Sequence, residues 1–170
     1  MAMIIETDRL RLRLLSVDDA EFILRLLNEP SFIQNIGDRG VRNIDDAQAY
    51  ILKGPIASYE KFGFGLWMVE TRSDRTPIGI CGLLKREVLP DVDIGYALLP
   101  EFWSQGYALE SASAVVSYAS EKLGLKRVAA VTNSDNKSSI RLLEKMGFQY
   151  ERMVRLSADA PEIKLFAAAV

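Results

Sequence analysis

Between residues 7 and 15 the chain alternates, with Leu10, Leu12 and Leu14 on one side and Arg9, Arg11 and Arg13 on the other. A period of two is that of a half-buried strand. The period then changes. Ser16 stands where a helix cap belongs, with Asp19 three residues on. Phe22, Ile23, Leu26 and Leu27 recur at helical spacing until Asn28-Glu29-Pro30 closes the run. A second helix is predicted over residues 44–52. Its first turn carries Asp45 and Asp46, where the helix dipole favours acids, and Gly54-Pro55 is expected to break it. Residues 64–70, 78–87 and 92–99 read as three strands, the first two joined by a polar hairpin turn at residues 73–77. Residues 106–122 form a helix with Ala108, Ala112, Val115, Val116 and Ala119 on one face, small enough to pack closely on a sheet. A strand over 127–132, a helix over 136–146 and strands over 148–156 and 163–169 complete the chain. The order β-α-α-β-β-β-α-β-α-β-β predicts a single mixed α/β (α+β) domain over residues 1–170. Its central sheet is mostly antiparallel, of about seven strands, with helices on both faces.

Composition narrows the chemistry. The chain has 170 residues and a formal charge of -2, with acids and bases interspersed. There is no basic stripe for nucleic acid and no polybasic membrane anchor. No stretch approaches a membrane helix in length, and the apolar start at residues 1–5 is too short for a signal-peptide core. The one cysteine, Cys81, permits no internal disulfide, so a reducing, cytoplasmic setting is expected. It lies mid-strand beside Gly82 and reads as a small buried residue rather than a nucleophile. With no histidine, Ser-His-Asp and Cys-His catalysis are excluded, and no metal site is expected. Any general base is a carboxylate, a tyrosine, a lysine or water.

The informative stretch is residues 93–108, DIGYALLPEFWSQGYA. A strand runs into a turn, and a helix starts at Gly106. Exposed N–H groups at such a start, with the positive end of the dipole, attract a phosphate or pyrophosphate. Gly106 and Ala108 let a bulky anion come close to the backbone. One glycine at a helix start is also what any strand-to-helix turn contains.

The segment resembles the acyl-CoA-binding motif of the GNAT superfamily of N-acetyltransferases. It is most similar to the Rim-type branch, the bacterial ribosomal-protein N-terminal acetyltransferases. In that branch a strand E-I-G-Y-x-L precedes P-x-x-W-G-(K/R)-G-Y-A; here the counterparts are Asp93-Ile94-Gly95-Tyr96-Ala97-Leu98 and Pro100 to Ala108. A second block, from Asn136 to Phe148 (NKSSIRLLEKMGF), resembles the family's N-x-x-S-x-x-(L/V)-L-E-K-x-G-F. The opening TDRLRLRLL resembles the branch's first strand. Two departures stand out. Ser104 replaces a usual glycine, and Gln105 replaces a lysine or arginine, removing a cation from the loop.

The resemblance implies acetyl-CoA as co-substrate and an amine as acceptor, either a protein N-terminus or a small molecule. Backbone groups of Leu98 and Leu99 would pair with the pantetheine arm, one N–H polarising the thioester carbonyl. Ser104, Gln105, Gly106, Tyr107 and Ala108 would hold the pyrophosphate. Asn136 and Ser139 would face the arm, with Ser139 protonating the departing thiolate. Asp93 stands where the family carries a glutamate and is the candidate base, with Glu87 and Glu162 as alternatives. Tyr96, Trp103 and Tyr107 read as packing aromatics near the site. Residues 30–42 and the segment after Ser157 are expected to line the acceptor side. Family habit implies a homodimer. The altered Ser104-Gln105 pair leaves an alternative open, an acyl-CoA-binding module without catalysis.

Overall fold

The computed structural model describes residues 2–170. Eight strands form one sheet: β1 (Met3–Glu6), β2 (Leu10–Arg13), β3 (Leu66–Thr71), β4 (Pro77–Leu84), β5 (Asp93–Leu98), β6 (Arg127–Thr132), β7 (Gln149–Val154) and β8 (Ile163–Ala169). Their spatial order is β1-β2-β3-β4-β5-β6-β8-β7, and every neighbouring pair is antiparallel except β5 and β6. Six α-helices accompany it: α1 (Ala20–Leu27), α2 (Pro30–Asn35), α3 (Ile44–Ile51), α4 (Ala57–Phe62), α5 (Tyr107–Glu121) and α6 (Lys137–Lys145). Among the described residues no helix is long and apolar enough to cross a membrane.

The two-residue period of the strands sorts the core into two layers. On β3, Trp67 and Val69 point to the α5 and α6 face, where they meet Ala112, Val115, Ala119 and Leu143. Met68, between them, points the other way and meets Ile23, Leu26 and Ile51 from α1 and α3. Fully burying such a side chain is worth about 1.5–3 kcal/mol, so each layer is held by the alternation read in the sequence. Ala112 and Ala119 are fully buried and bring α5 close to β4 and β5. The expected cap is present: Ser16 Oγ accepts from the Asp18 N–H, and Asp19 Oδ2 accepts from the Ser16 N–H at 2.9 Å. Arg13 reaches the same acid, donating to both Asp19 oxygens at 2.9 and 3.0 Å and to Glu70 at 3.0 Å, which pins β2 to β3 and to the start of α1.

The sheet expected to have about seven strands has eight, and three other expectations need correction. Residues 3–6 add an edge strand on β2, too short to show a period of its own. The strand expected over residues 78–87 stops at Leu84, so Glu87 lies in an exposed turn. Pro30 ends α1 but also opens α2, standing at its first turn, where a missing N–H costs nothing. Gly54-Pro55 does not end the second helix. The chain widens into a single π-turn over Leu52–Ile56 and continues into α4. The wider turn relieves the clash a proline ring makes with the carbonyl four residues back, and Pro55 is buried.

Candidate active site

The site begins where the sheet stops being continuous. β5 and β6 are in register only at Asp93↔Ala129 and Ile94↔Ala130. Beyond Ile94 the two strands part. A cleft of about 570 Å³ passes between them, from the α5 and α6 face to the α1 and α3 face.

Backbone alternation on β5 decides which groups face the gap. Leu99 donates its N–H to the Ile78 carbonyl at 2.9 Å, and the β4–β5 register runs Gly79↔Leu98, Ile80↔Ala97. In an antiparallel pair successive residues alternate between bonding the partner and facing away. The N–H groups of Ala97 and Leu99 therefore belong to β4, and those of Tyr96 and Leu98 face the cleft. Of the two leucines predicted to meet a thioester, Leu98 has the available N–H. The Leu99 side chain is buried in the α1 layer. Trp103, 47 % exposed, donates its indole N–H to the Leu98 carbonyl at 2.9 Å and fixes the strand end. Gly79 lets β4 lie this close to β5, since a Cβ there would lie 2.3 Å from the Ala97 carbonyl oxygen.

The loop that follows turns sharply. Ser104 has φ +61° and Gly106 has φ +82°, both left-handed. The usual glycine at the Ser104 position is thereby explained: L side chains are strained in this conformation by about 1–2 kcal/mol. α5 then starts at Tyr107 with no side chain capping its first N–H groups. Uncapped N–H groups at a helix start are the arrangement that attracts an anion. Gln105 is exposed, turned away from the cleft, with its Nε2 donating to the Glu101 carbonyl at 3.1 Å.

A cation is nevertheless present at the loop. Arg9 donates from Nη1 to the Gln105 carbonyl at 2.9 Å and from Nε to Glu110 at 2.7 Å. Its guanidinium lies 4.4 Å from the centre of the Tyr107 ring. A Cβ on Gly106 would lie 3.2 Å from its Nη2. In the sequence Arg9 looked like one of three solvent-facing arginines of a strand. β2 begins only at Leu10, which puts Arg9 in the turn before it; the signal was the carboxylate of Glu110, one turn into α5.

Across the gap, Asn136 caps α6 by accepting from the Ser139 N–H at 3.2 Å, and Ser139 Oγ shares a hydrogen bond of 2.7 Å with the Tyr96 hydroxyl. Burial pushes the Tyr96 hydroxyl up to about 12, opposed by its bond to Ser139. Tyr96 is thus part of the constellation and not only packing. Cys81 is fully buried, and burial raises its thiol to about 12, which keeps it protonated and inert.

The predicted carboxylates sit differently. Asp93 is 0 % exposed, and Arg86 Nε lies 3.1 Å from both its oxygens. Burial raises its pKa from 3.8 to about 6 against the pull of Arg86. Arg86 lines the cleft and Asp93, which it holds, does not. Glu87 and Glu162 are exposed, do not line the cleft, and Glu162 pairs with Arg155 at 3.5 Å. The cleft therefore gathers Leu98, Ser104, Gly106, Tyr107, Ala108, Asn136 and Ser139, and leaves Leu99, Gln105 and Asp93 off its surface.

Comparison with known proteins agrees with this architecture. Residues 9–149 match the acetyltransferase (GNAT) domain family. The chain is 38 % identical over 156 residues to YoaA of Bacillus subtilis, named as an uncharacterized N-acetyltransferase, covering 91 % of this chain and 88 % of that one. It is 28 % identical to YkkB of the same organism, over 88 % and 87 % of the two chains. Among solved structures, RimL, a ribosomal L7/L12 α-N-protein acetyltransferase in complex with coenzyme A, superposes with a TM-score of 0.85. Its identity is 17 %, with 99 % of this chain and 98 % of that one covered. An acetyltransferase from Agrobacterium tumefaciens gives 0.83 at 22 % identity, over 99 % and 94 % of the chains. These two likenesses are of fold. With the family match spanning most of its length, the chain belongs to the acetyltransferase (GNAT) domain family.

Proposed function

We propose that this protein transfers an acetyl group from acetyl-CoA to the nitrogen of a primary amine, by direct attack within a ternary complex. The observation that carries the reading is the parted end of β5, where Leu98 turns its N–H into a cleft beside an uncapped helix start. An N–H at that point donates to the thioester oxygen, more strongly as negative charge develops on it. The pantetheine arm would extend the sheet from β5 as an added strand, and the first N–H groups of α5 would take the pyrophosphate.

The acceptor nitrogen forms a bond to the acetyl carbon, the C–S bond breaks, and sulfur leaves with the electron pair. The Ser139 hydroxyl, hydrogen-bonded to Tyr96, gives the thiolate its proton and is resupplied through Tyr96. The nitrogen loses its surplus proton to water. A peptide α-amine, with a pKa near 8, is already about a tenth neutral at pH 7, and a more basic amine is neutral in a smaller fraction, so its rate rises with pH. Asp93, ionised above about pH 6, acts in this reading through Arg86, whose position it fixes. Holding both reactants in one cleft supplies much of the acceleration. Kinship with the Rim-type branch belongs to the same proposal and is supported by the fold shared with RimL.

Calorimetric titration with acetyl-CoA, with desulfo-CoA as control, followed by amine-dependent thiol release, tests it. Micromolar binding with turnover is expected. Leu98→Pro, which removes the cleft-facing N–H and no β4 hydrogen bond, is expected to keep binding and lose roughly 100-fold in kcat. Absence of acetyl-CoA binding at millimolar ligand refutes the proposal.

A further inference from the structure

The mouth of the cleft on the α1 and α3 face carries an unusual balance of charge. Three charged residues line it there: Glu29, Arg39 and Arg86. Arg86 is already matched, holding Asp93. Glu29 has only a loose contact, 3.9 Å from Arg25, whose guanidinium is hydrogen-bonded to Glu101. Arg39 makes no ion pair and no side-chain hydrogen bond among the described residues. Asp38, its neighbour in sequence, spends its carboxylate on Arg42 and on the Gly40 N–H.

A second group shares this wall. The Tyr50 hydroxyl, from α3, has no protein partner among the described residues. Arg11 Nε is the one buried side-chain polar atom left without a partner among them, so the Tyr50 hydroxyl opens onto the cleft rather than into the core. Burial raises the Tyr50 hydroxyl above its ordinary range, opposed by the charge of Arg39. Around the pair are apolar surfaces, Leu26, Phe32 and Ile36. A guanidinium and a hydroxyl, both without a protein partner among the described residues and lining one partly apolar cleft, form the donor set that binds a carboxylate or phosphate group.

Resting on the acetyl-transfer reading above, we infer that the acceptor is a small amine bearing its own anionic group, held by Arg39 and Tyr50 while its nitrogen faces Leu98. A polyamine meets a single carboxylate at this mouth, Glu29, with the Arg25 guanidinium 3.9 Å from it and Arg39 and Arg86 on the same wall. An acceptor whose only charge is its ammonium leaves Arg39 without a partner. Binding the anion at the mouth also fixes the direction of the amine, which is what direct attack requires.

The test uses the whole chain saturated with acetyl-CoA. Standard α-amino acids are supplied as free acids and as carboxamides, with 2-aminoethyl phosphate, spermidine and a neutral tripeptide amide alongside. Thiol release gives kcat/KM, and calorimetry on the CoA-saturated protein gives acceptor affinity without turnover. The best free acid is expected to exceed its carboxamide, or the aminoalkyl phosphate to exceed every acceptor without an anionic group, by roughly tenfold or more in kcat/KM, as a charge-assisted contact does. Which of the two anions wins identifies the group. Arg39→Gln is expected to erase that preference by raising KM for the anionic acceptor, with Arg39→Lys retaining part of it and Tyr50→Phe weakening it. Equal rates for acid and carboxamide, a preference for spermidine or the tripeptide, or an equal loss on both partners in Arg39→Gln overturns the inference while leaving acetyl transfer intact. Arg39-dependent binding of the anionic amine without any turnover supports the subsite and removes the transferase reading instead.

Discussion

Replacing Arg9 by alanine removes the one side chain that ties the β1–β2 turn, the Ser104–Gly106 loop and the start of α5 together. Three contacts are lost. The ion pair with Glu110 is 46 % exposed on the arginine side, and exposed pairs are worth about 0.2–1 kcal/mol. The placement over Tyr107 adds about 0.5–1 kcal/mol at an exposed site. The bond to the Gln105 carbonyl adds about 1 kcal/mol. Screening and imperfect additivity bring the sum to about 2 kcal/mol, divided between folding and the order of the loop. If 1–2 kcal/mol of it is loop order, Kd for acetyl-CoA rises about 5- to 30-fold. The loss is also electrostatic, since Arg9 is a cation beside the anion-binding helix start. The dependence of Kd on salt should therefore be shallower in Arg9→Ala than in the wild type. The assay is calorimetry at low and physiological salt, with thermal unfolding in parallel. A variant whose Tm falls while Kd stays within about twofold would show that Arg9 only braces the fold.

Other substitutions separate the remaining parts. Ser104→Gly relieves a left-handed serine and should raise stability by about 0.5–1 kcal/mol, after the entropy glycine adds to the unfolded chain; an unchanged or lower Tm would count against strain there. Gln105→Lys should tighten acetyl-CoA by less than about threefold, because this side chain faces away and Arg9 already supplies a cation; a tenfold gain by calorimetry would contradict that placement. Asp93 is protonated below both its folded and unfolded values, so its destabilising effect is absent at low pH. As pH rises from about 4 to about 6 the unfolded chain releases this proton first, and the native state loses up to about 3 kcal/mol relative to Asp93→Asn. Urea unfolding of both proteins at stepped pH would show parallel curves if the carboxyl were not held protonated by burial. Ser139→Ala and Tyr96→Phe should each lower kcat several-fold with Kd for acetyl-CoA unchanged, and the double variant should be little worse than either. A multiplicative loss would mean the two hydroxyls act separately.

The sequence was most readable where one physical rule acts alone. Alternation located β2, apolar runs between turn signals located β5, β6 and β8, and small residues at helical spacing located α5. The Ser16 cap and the glycine at the start of α5 were equally local. What could not be read depends on two distant segments meeting. Arg9 and Tyr96 gain their places from Glu110 and Ser139, far away in the chain. Asp93 kept its strand position, yet a neighbouring turn brought Arg86 across it. The continuation through Pro55 was hidden for another reason, since a π-turn has no periodic signature over five residues.

The short register between β5 and β6 has a mechanical consequence. Strands β1 to β5 form one hydrogen-bonded body and β6 to β8 another. The two are stitched by two residue pairs and strapped by α5. Widening the cleft therefore breaks very little of the ladder, and the seam is where the domain can breathe most cheaply. A ligand lying along Tyr96 and Leu98 would supply the stitches the seam lacks. Slow amide exchange at these two residues on ligand binding, with the interiors of both bodies unchanged, would be the signature of a sheet whose missing segment is its own substrate.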